Sequence, residues 1–145
     1  LVRGLTAILY RTELAIRSKA HWPYDDHFMA RARPALEVSA DYIRDWPVFV
    51  LRLDGHSLGF GGFLRIGTQM FLNDLFVDPP WIGSGAGTLL WNHAIDLARE
   101  NAWSSFDIES DPFAEGFYLG KGAVRIGEIR SAVNGRDLPL LRYEI

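Results

Sequence analysis

Cysteine is absent from the 145-residue sequence. Its absence excludes disulfide bonds, thiol nucleophiles and zinc sites with sulfur ligands. Long apolar runs are also lacking: none approaches the roughly 20 residues that a membrane-spanning helix needs, and no signal peptide is visible. Basic residues are not in excess, since the formal net charge is −3 and the pI is about 5.8. We therefore expect neither a membrane nor a nucleic-acid partner.

The residues that are present fit one globular domain over residues 1–145. The sequence is 48% hydrophobic and 23% charged, which argues against disorder. A chain of this length can bury one core. Because the sequence starts at Leu1 rather than at a methionine, we expect further residues before it. In the absence of a leader, we predict a cytoplasmic location.

Acidic residues concentrate in the second half of the chain. Residues 71–145 hold eleven acidic and six basic side chains, whereas residues 1–70 hold seven acidic and nine basic ones. Four of the acids lie close together, namely Asp107, Glu109, Asp111 and Glu115. Such a cluster is either a solvated surface or the mouth of a site that attracts a cation.

Helical spacing of apolar residues predicts a first amphipathic helix from Leu1 to about Ala20. A second short helix is predicted to start at Tyr24-Asp25-Asp26 and to run to Arg33, where Pro34 should end it, and Ser39 caps a third short one. A longer helix begins in the glycine loop at 83–87, with Asn101 expected in a left-handed conformation at its end. The last helix is predicted from Pro112 to about Lys121.

Alternating apolar residues bounded by turn residues predict six strands. They cover residues 48–53, 58–66, 69–77, 104–110, 123–130 and 139–144. Gly61 and Gly62 weaken the second strand or mark a bulge, and Asn134-Gly135 lies in the loop before the last strand. These elements predict one mixed α/β domain.

Glycines occupy every second position at 83, 85 and 87, between a strand and a helix. Free N–H groups of a first helical turn, reinforced by the helix dipole, bind anions, and glycine lets a phosphate approach closely. A mononucleotide P-loop is disfavoured because no lysine follows Gly87. A dinucleotide fold is disfavoured because Thr88 stands at the third glycine position and antiparallel strands precede the loop. Coenzyme A is the third class of ligand.

Two motifs carry a resemblance to a known family. The run LFVDPPWIGSGAGTLL at 75–90 resembles the acetyl-CoA-binding motif of the GNAT superfamily of N-acyltransferases, normally Gln/Arg-x-x-Gly-x-Gly/Ala after a strand ending in Val-x-Pro. The run DPFAEGFYLGKGA at 111–123 resembles the family's second motif, Asn-x-x-Ala-x-x-Phe-Tyr-x-x-x-Gly-Phe. Among the departures from the motifs, Ile82 replaces Gln/Arg and Ala123 replaces Phe. The family's first strand would lie before Leu1.

The resemblance implies a central mixed, mostly antiparallel sheet, flanked by helices and splayed at the acyl-CoA site. It also implies acetyl-CoA as co-substrate and a primary amine of a small molecule or peptide as acceptor. Acetyl-CoA would contact the strand end and the loop, at Leu75, Phe76, Val77, Ile82, Gly83, Ser84, Gly85, Ala86, Gly87 and Thr88. A backbone N–H near Phe76 would polarise the thioester carbonyl. A non-catalytic acyl-CoA-binding or regulatory module is the alternative, and a homodimer is left open.

The same resemblance makes Tyr118 the candidate proton donor to the departing thiolate, although Phe117-Tyr118 could equally be an aromatic pair on a helix. The base is open between two acids. Glu109 lies near the end of its strand, where strand alternation places it on the same side as Asp107, and Asp74 is its rival. If neither acid acts, a water chain could remove the proton.

Three residues between the first two helices, His21, Trp22 and Tyr24, are candidates for the acceptor wall. Capping and packing are the alternative role of this cluster. No metal is expected, because His21, Asp25 and His27 show no recognised ligand spacing.

Overall fold

The computed structural model describes residues 2–131 and 135–145, with side chains from residue 11 onward. Its helices are α1 (Val2–Ala20), α2 (Asp26–Leu36), α3 (Ala40–Asp45), α4 (Ala86–Glu100) and α5 (Glu115–Gly120), with a short 3-10 turn at Pro79–Trp81. Its strands are β1 (Val48–Leu53), β2 (His56–Ile66), β3 (Gln69–Val77), β4 (Ser105–Glu109), β5 (Val124–Arg130) and β6 (Asp137–Glu144). None of the helices in the described ranges is long and apolar enough to cross a membrane.

The six strands form one sheet in the order β1-β2-β3-β4-β6-β5. All neighbours pair antiparallel except β3 and β4, which are parallel. In the described part of the chain, β3 and β4 pair only where Phe71 lies opposite Asp107. Beyond that pair the two strands separate toward their carboxyl ends. The expected mixed, mostly antiparallel and splayed sheet is therefore confirmed.

A bulge interrupts the pairing of β2 with β3. Gly62 lies opposite Asp74 but Phe63 lies opposite Leu72, so Asn73 is an extra residue on β3. A side chain at Gly62 would force a neighbour to move, since its Cβ would overlap the Tyr42 hydroxyl. The bulge lies beside Gly61-Gly62, as one of the two predicted alternatives had it, but its extra residue is on β3 rather than on β2, and it bends β3 just before the segment that enters the glycine loop.

Two apolar clusters cover the two faces of the sheet. Phe60 and Phe63, three residues apart on β2, face opposite sides. On one face Phe60 packs with Leu14 and Ala15 of α1. On the other face α4 and α5 pack through Trp91, Ala94, Tyr118 and their neighbours Phe106, Ile108 and Leu141. The helices thus support β3 and β4 from both sides where they part.

Pro34 does not end α2, which continues to Leu36. The Asp25 carboxylate caps the helix by accepting the Phe28 N–H at 2.7 Å. Pro34 lies two residues before the end of the helix, so its missing N–H and the crowding of its ring against the preceding turn affect only the last part of α2.

Several boundaries also differ from the prediction. Ala102 adopts the positive φ of 55°, while the Asn101 side chain donates to the Leu97 carbonyl at 2.8 Å. Helix α5 begins at Glu115, because residues 112–114 form a turn closed by Ala114 N–H to Asp111 O. Strands β2 and β6 each start two residues earlier. Leu1 and Asn134 lie outside the described residues.

Candidate functional site

A cavity of about 470 Å³ opens where β3 and β4 separate. The end of α1, the carboxyl halves of both strands, the glycine loop and α5 form its walls. The predicted site residues that line it are Trp22, Leu75, Phe76, Val77, Ile82, Gly83, Gly85, Gly87, Thr88, Glu109 and Tyr118. One cavity thus joins residues that are far apart in the sequence.

The glycine loop presents backbone N–H groups at one end of the cavity. Gly83 and Gly85 have φ values of 84° and 93°, which side chains rarely tolerate. The first hydrogen bond of α4 runs from Leu89 N–H to Gly85 O, so the N–H groups of residues 86–88 precede it. A Cβ added at Gly83 or Gly85 would meet nothing within 4 Å. The loop therefore combines open space with the positive end of a helix dipole and can hold a phosphate.

Ser84 and Ala86, both predicted to contact the ligand, do not line the cavity. The Ser84 hydroxyl and N–H both donate to the Trp81 carbonyl, which shapes the turn. Ala86 is buried as a whole residue, with 2% of its surface exposed.

Tyr118 is both a core residue and a wall of the cavity. Its ring lies 5.8 Å from that of Trp91 and 5.4 Å from that of Phe117. Burial raises the pKa of Tyr118 well above its ordinary value, and the charges of Asp74 and Asp111 raise it further. The phenol is therefore protonated at neutral pH. It can donate a proton or a hydrogen bond into the cavity.

The two candidate bases differ in position. Glu109 lines the cavity. Partial burial raises the pKa of its carboxyl, and the nearby positive charge of Lys19 offsets part of that rise. Asp74 does not line the cavity. Burial raises the pKa of Asp74 to about 6, although the polar side chains of Tyr42 and Asn73 lower this pKa in part. The geometry favours Glu109 as the acid that a ligand could reach.

Asp107 faces the same side of β4 as Glu109 but is engaged elsewhere. The Arg142 guanidinium donates to both of its carboxylate oxygens, at 2.7 and 3.0 Å. Gln69 donates to the same carboxylate at 3.1 Å. Asp107 is buried and supports the sheet rather than the cavity.

Asp111 also lines the cavity; the sequence pointed to it as one of a cluster of four acids. Its carboxylate forms an ion pair with Lys19 and accepts hydrogen bonds from Tyr24 Oη at 2.8 Å and Phe113 N–H at 2.9 Å. Burial alone would raise the pKa of Asp111, but Lys19 and these donors hold that pKa below its usual value. Arg136 donates to the Tyr24 hydroxyl at 3.0 Å. This network ties the end of α1 to the β4–α5 loop.

The predicted acceptor residues divide between wall and support. Trp22 lines the cavity and stacks on Phe113, with ring centroids 5.7 Å apart and planes 7° apart. His21 packs edge-on against Trp22, with ring centroids 5.1 Å apart, and does not line the cavity. Tyr24 does not line the cavity; its hydroxyl donates to Asp111. Burial raises the pKa of Tyr24 to about 12.

We expect Asp111→Asn to lower the free energy of unfolding at pH 7 by about 2 kcal/mol, because it leaves Lys19 without its charge partner. The lowered pKa of Asp111 gives stability above the unfolded pKa of about 3.9 that is lost as pH falls through the folded pKa. The difference from wild type should therefore shrink below about pH 4. Urea unfolding at several pH values measures it. The exposed Asp96→Asn variant is the control, and an equal loss in both variants would contradict the role of the network.

The model of the acetyltransferase (GNAT) family matches residues 16–121. A comparison with curated proteins found no match.

Three solved structures illustrate the similarity of fold. A GCN5-related N-acetyltransferase from Rhodopseudomonas palustris has a TM-score of 0.78 at 16% identity, covering 97% of this chain and 91% of the other. The ribosomal-protein-S18-alanine N-acetyltransferase from Escherichia coli scores 0.68 at 18% identity over 97% and 88%. The PaiA N-acetyltransferase from Thermoplasma acidophilum, in complex with coenzyme A, scores 0.68 at 14% identity over 92% and 90%.

Proposed function

Because the chain belongs to the acetyltransferase (GNAT) family and is an acetyl-CoA-dependent acetyltransferase, we propose that it acetylates a primary amine of a small molecule or peptide in the cavity between β3 and β4. The observation that carries this proposal is the arrangement of that cavity. Its lining brings together the glycine loop at the start of α4, the carboxylate of Glu109, an aromatic wall that includes Trp22 and Phe113, and the buried phenol of Tyr118.

The residues of the loop and of β3 fit acetyl-CoA. Gly83, Gly85 and the first turn of α4 would hold the phosphates, and Leu75, Phe76 and Val77 would line the pantetheine arm. When bound, acetyl-CoA supplies an activated acetyl thioester.

Strand alternation identifies the backbone donors that face this arm. Asp78 N–H donates to Leu58 O on β2 at 2.8 Å, and Phe76 lies opposite Phe60 two residues earlier. The Phe76 N–H therefore points toward β2, and the N–H groups of Leu75 and Val77 point toward the gap. One of these two would donate to the thioester carbonyl oxygen and stabilise its developing charge.

The side chains would then manage two protons. Glu109 would accept the proton of the amine, directly or through a water molecule, as the new N–C bond forms. Tyr118 would donate to the sulfur as the C–S bond breaks. Since the pKa of Tyr118 lies above that of an ordinary phenol and further from a thiol near 8.5, a hydrogen bond to the thiolate is favoured over complete early transfer.

We expect Gly85→Ala to weaken both the loop and its ligand binding. A side chain at φ 93° costs about 1 kcal/mol of stability, and relaxation of that strain moves the N–H groups of α4 away from the phosphate. The dissociation constant of acetyl-CoA, measured by calorimetry, should rise about fivefold. Gly116→Ala is the matched control, because its Cβ would also meet nothing within 4 Å and its φ is not positive. Equal affinities in the two variants would contradict this role of the loop.

The proposed reaction is tested by thiol release from acetyl-CoA in the presence of a panel of primary amines. The panel combines small monoamines, diamines and peptides with a free N-terminus or a lysine. We expect amine-dependent thiol release above the rate of acetyl-CoA hydrolysis. Tight binding of acetyl-CoA without release by any amine would contradict acetyl transfer to this class of acceptor.

A further inference from the structure

The anion-binding loop has little positive charge of its own. At the position where the family's motif carries Gln or Arg, this chain has Ile82, an apolar residue on the cavity wall. The helix N-terminus contributes about half a positive charge, which is less than the negative charge of a diphosphate. Among the described residues that line the cavity, the one basic side chain is Lys19, and it pairs with Asp111.

Lys121, the residue that follows α5, places a positive charge next to this loop. Its Nζ donates to Thr88 Oγ1 at 2.8 Å, and Thr88 is the third residue of α4. The same ammonium lies 5.4 Å from the centre of the Phe117 ring. Thr88 and Phe117 both line the cavity, so the charge of Lys121 lies directly behind its wall.

Lys121 itself lines a separate surface pocket that also includes Asp96 and Arg99, but its ammonium forms no close ion pair with any described residue. Within the described ranges, no carboxylate lies within 4.0 Å of its ammonium, and its contacts are a hydroxyl and a ring. An ammonium has three donors, of which Thr88 takes one. Arg17, another cation near the end of β3, differs because its guanidinium faces Asp78 through two contacts of 3.3 Å.

The turn after α5 holds Lys121 in this place. Lys121 follows the last residue of α5, and its N–H bonds back to the carbonyls of Phe117 and Tyr118. Gly122, with φ of 100°, then redirects the chain into β5. The lysine stem therefore runs beside Phe117 toward the first turn of α4, and its flexible end can turn from Thr88 to a ligand.

We propose that Lys121 binds the diphosphate of acetyl-CoA and supplies the cation that Ile82 does not, with Thr88 holding its ammonium at the N-terminus of α4. This inference rests on the proposed placement of acetyl-CoA at the loop. Lys121 is a binding residue, so its removal should raise the KM for acetyl-CoA and leave kcat nearly unchanged.

The test compares Lys121→Met, which keeps an unbranched apolar stem, with Lys121→Arg, which keeps the charge. Calorimetry with coenzyme A should give a dissociation constant about tenfold higher for the methionine variant, the loss of one charge-assisted contact, and a value within about threefold of wild type for the arginine variant. S-acetylpantetheine, which has no phosphate, should bind wild type and both variants equally. The same tenfold loss should appear with 3′-dephospho-coenzyme A.

Each contrary result removes a defined part of the inference. If Lys121→Met binds coenzyme A as tightly as wild type does, Lys121 has no binding role. If the variant weakens S-acetylpantetheine equally, Lys121 supports the fold of the cavity instead. A loss seen with coenzyme A but not with its 3′-dephospho form contradicts the diphosphate as partner. Failure of wild type itself to bind coenzyme A would contradict the underlying placement of acetyl-CoA.

Discussion

Replacing Tyr118 by phenylalanine is expected to lower kcat at least about tenfold and to leave the affinity for acetyl-CoA nearly unchanged. The hydroxyl is the only group lost, and the ring remains packed against Trp91 and Phe117. Because burial raises the pKa of Tyr118, the wild-type phenol stays protonated and ready to donate as the thiolate departs. Initial rates with saturating amine give kcat, and calorimetry gives the affinity.

The matched control is Tyr143→Phe. The Tyr143 ring contacts the same Trp91 at 5.2 Å but does not line the cavity between β3 and β4. Its hydroxyl should be dispensable for turnover. An unchanged kcat in Tyr118→Phe, or an equal fall in both variants, would contradict a proton donor at Tyr118.

A larger loss, about 100-fold in kcat/KM, is expected for Glu109→Gln, because the variant keeps the shape of the side chain but cannot accept a proton. Asp74→Asn should retain most activity, since Asp74 does not line the cavity. Comparable losses in the two variants, or a loss confined to Asp74→Asn, would contradict Glu109 as the base.

The pH dependence separates the same two acids. A base acts only when it is deprotonated, so the rate should fall as pH drops through the pKa of the base. Partial desolvation raises the pKa of Glu109 above its usual value of 4.5, and we therefore expect an acid limb above that value that Glu109→Gln abolishes. If Asp74 were the base, the limb would lie at about pH 6 and would persist in Glu109→Gln.

Local sequence patterns predicted much of the fold. The bounds of β1 and β3 match the prediction because proline and glycine mark their ends, and α4 follows a loop whose glycines require positive φ. The end of helix α2 was harder to predict, since a helix tolerates one proline near its end. The separation of β3 from β4 is a property of the packed sheet, and it could be expected only from the family resemblance.

The site shows the same division. Strand alternation predicts that Asp107 and Glu109 share a face, but not that Arg142, 35 positions away, engages the first and leaves the second to the cavity. The pair of Lys19 and Asp111 joins residues 92 positions apart, and no local pattern reports it. The sequence offered two separate signals for this network: the acid Asp111 at the start of the second motif, and the aromatic residues Trp22 and Tyr24 between α1 and α2.

The most direct test of the account is a calorimetric titration of the wild-type protein with acetyl-CoA, coenzyme A and NAD in parallel at one salt concentration. The loop at the N-terminus of α4 and the gap beside β3 predict saturable binding of acetyl-CoA and coenzyme A, one molecule per chain, and no binding of NAD. Binding of NAD without acetyl-CoA, or no binding of acetyl-CoA, would contradict the assignment of this cavity.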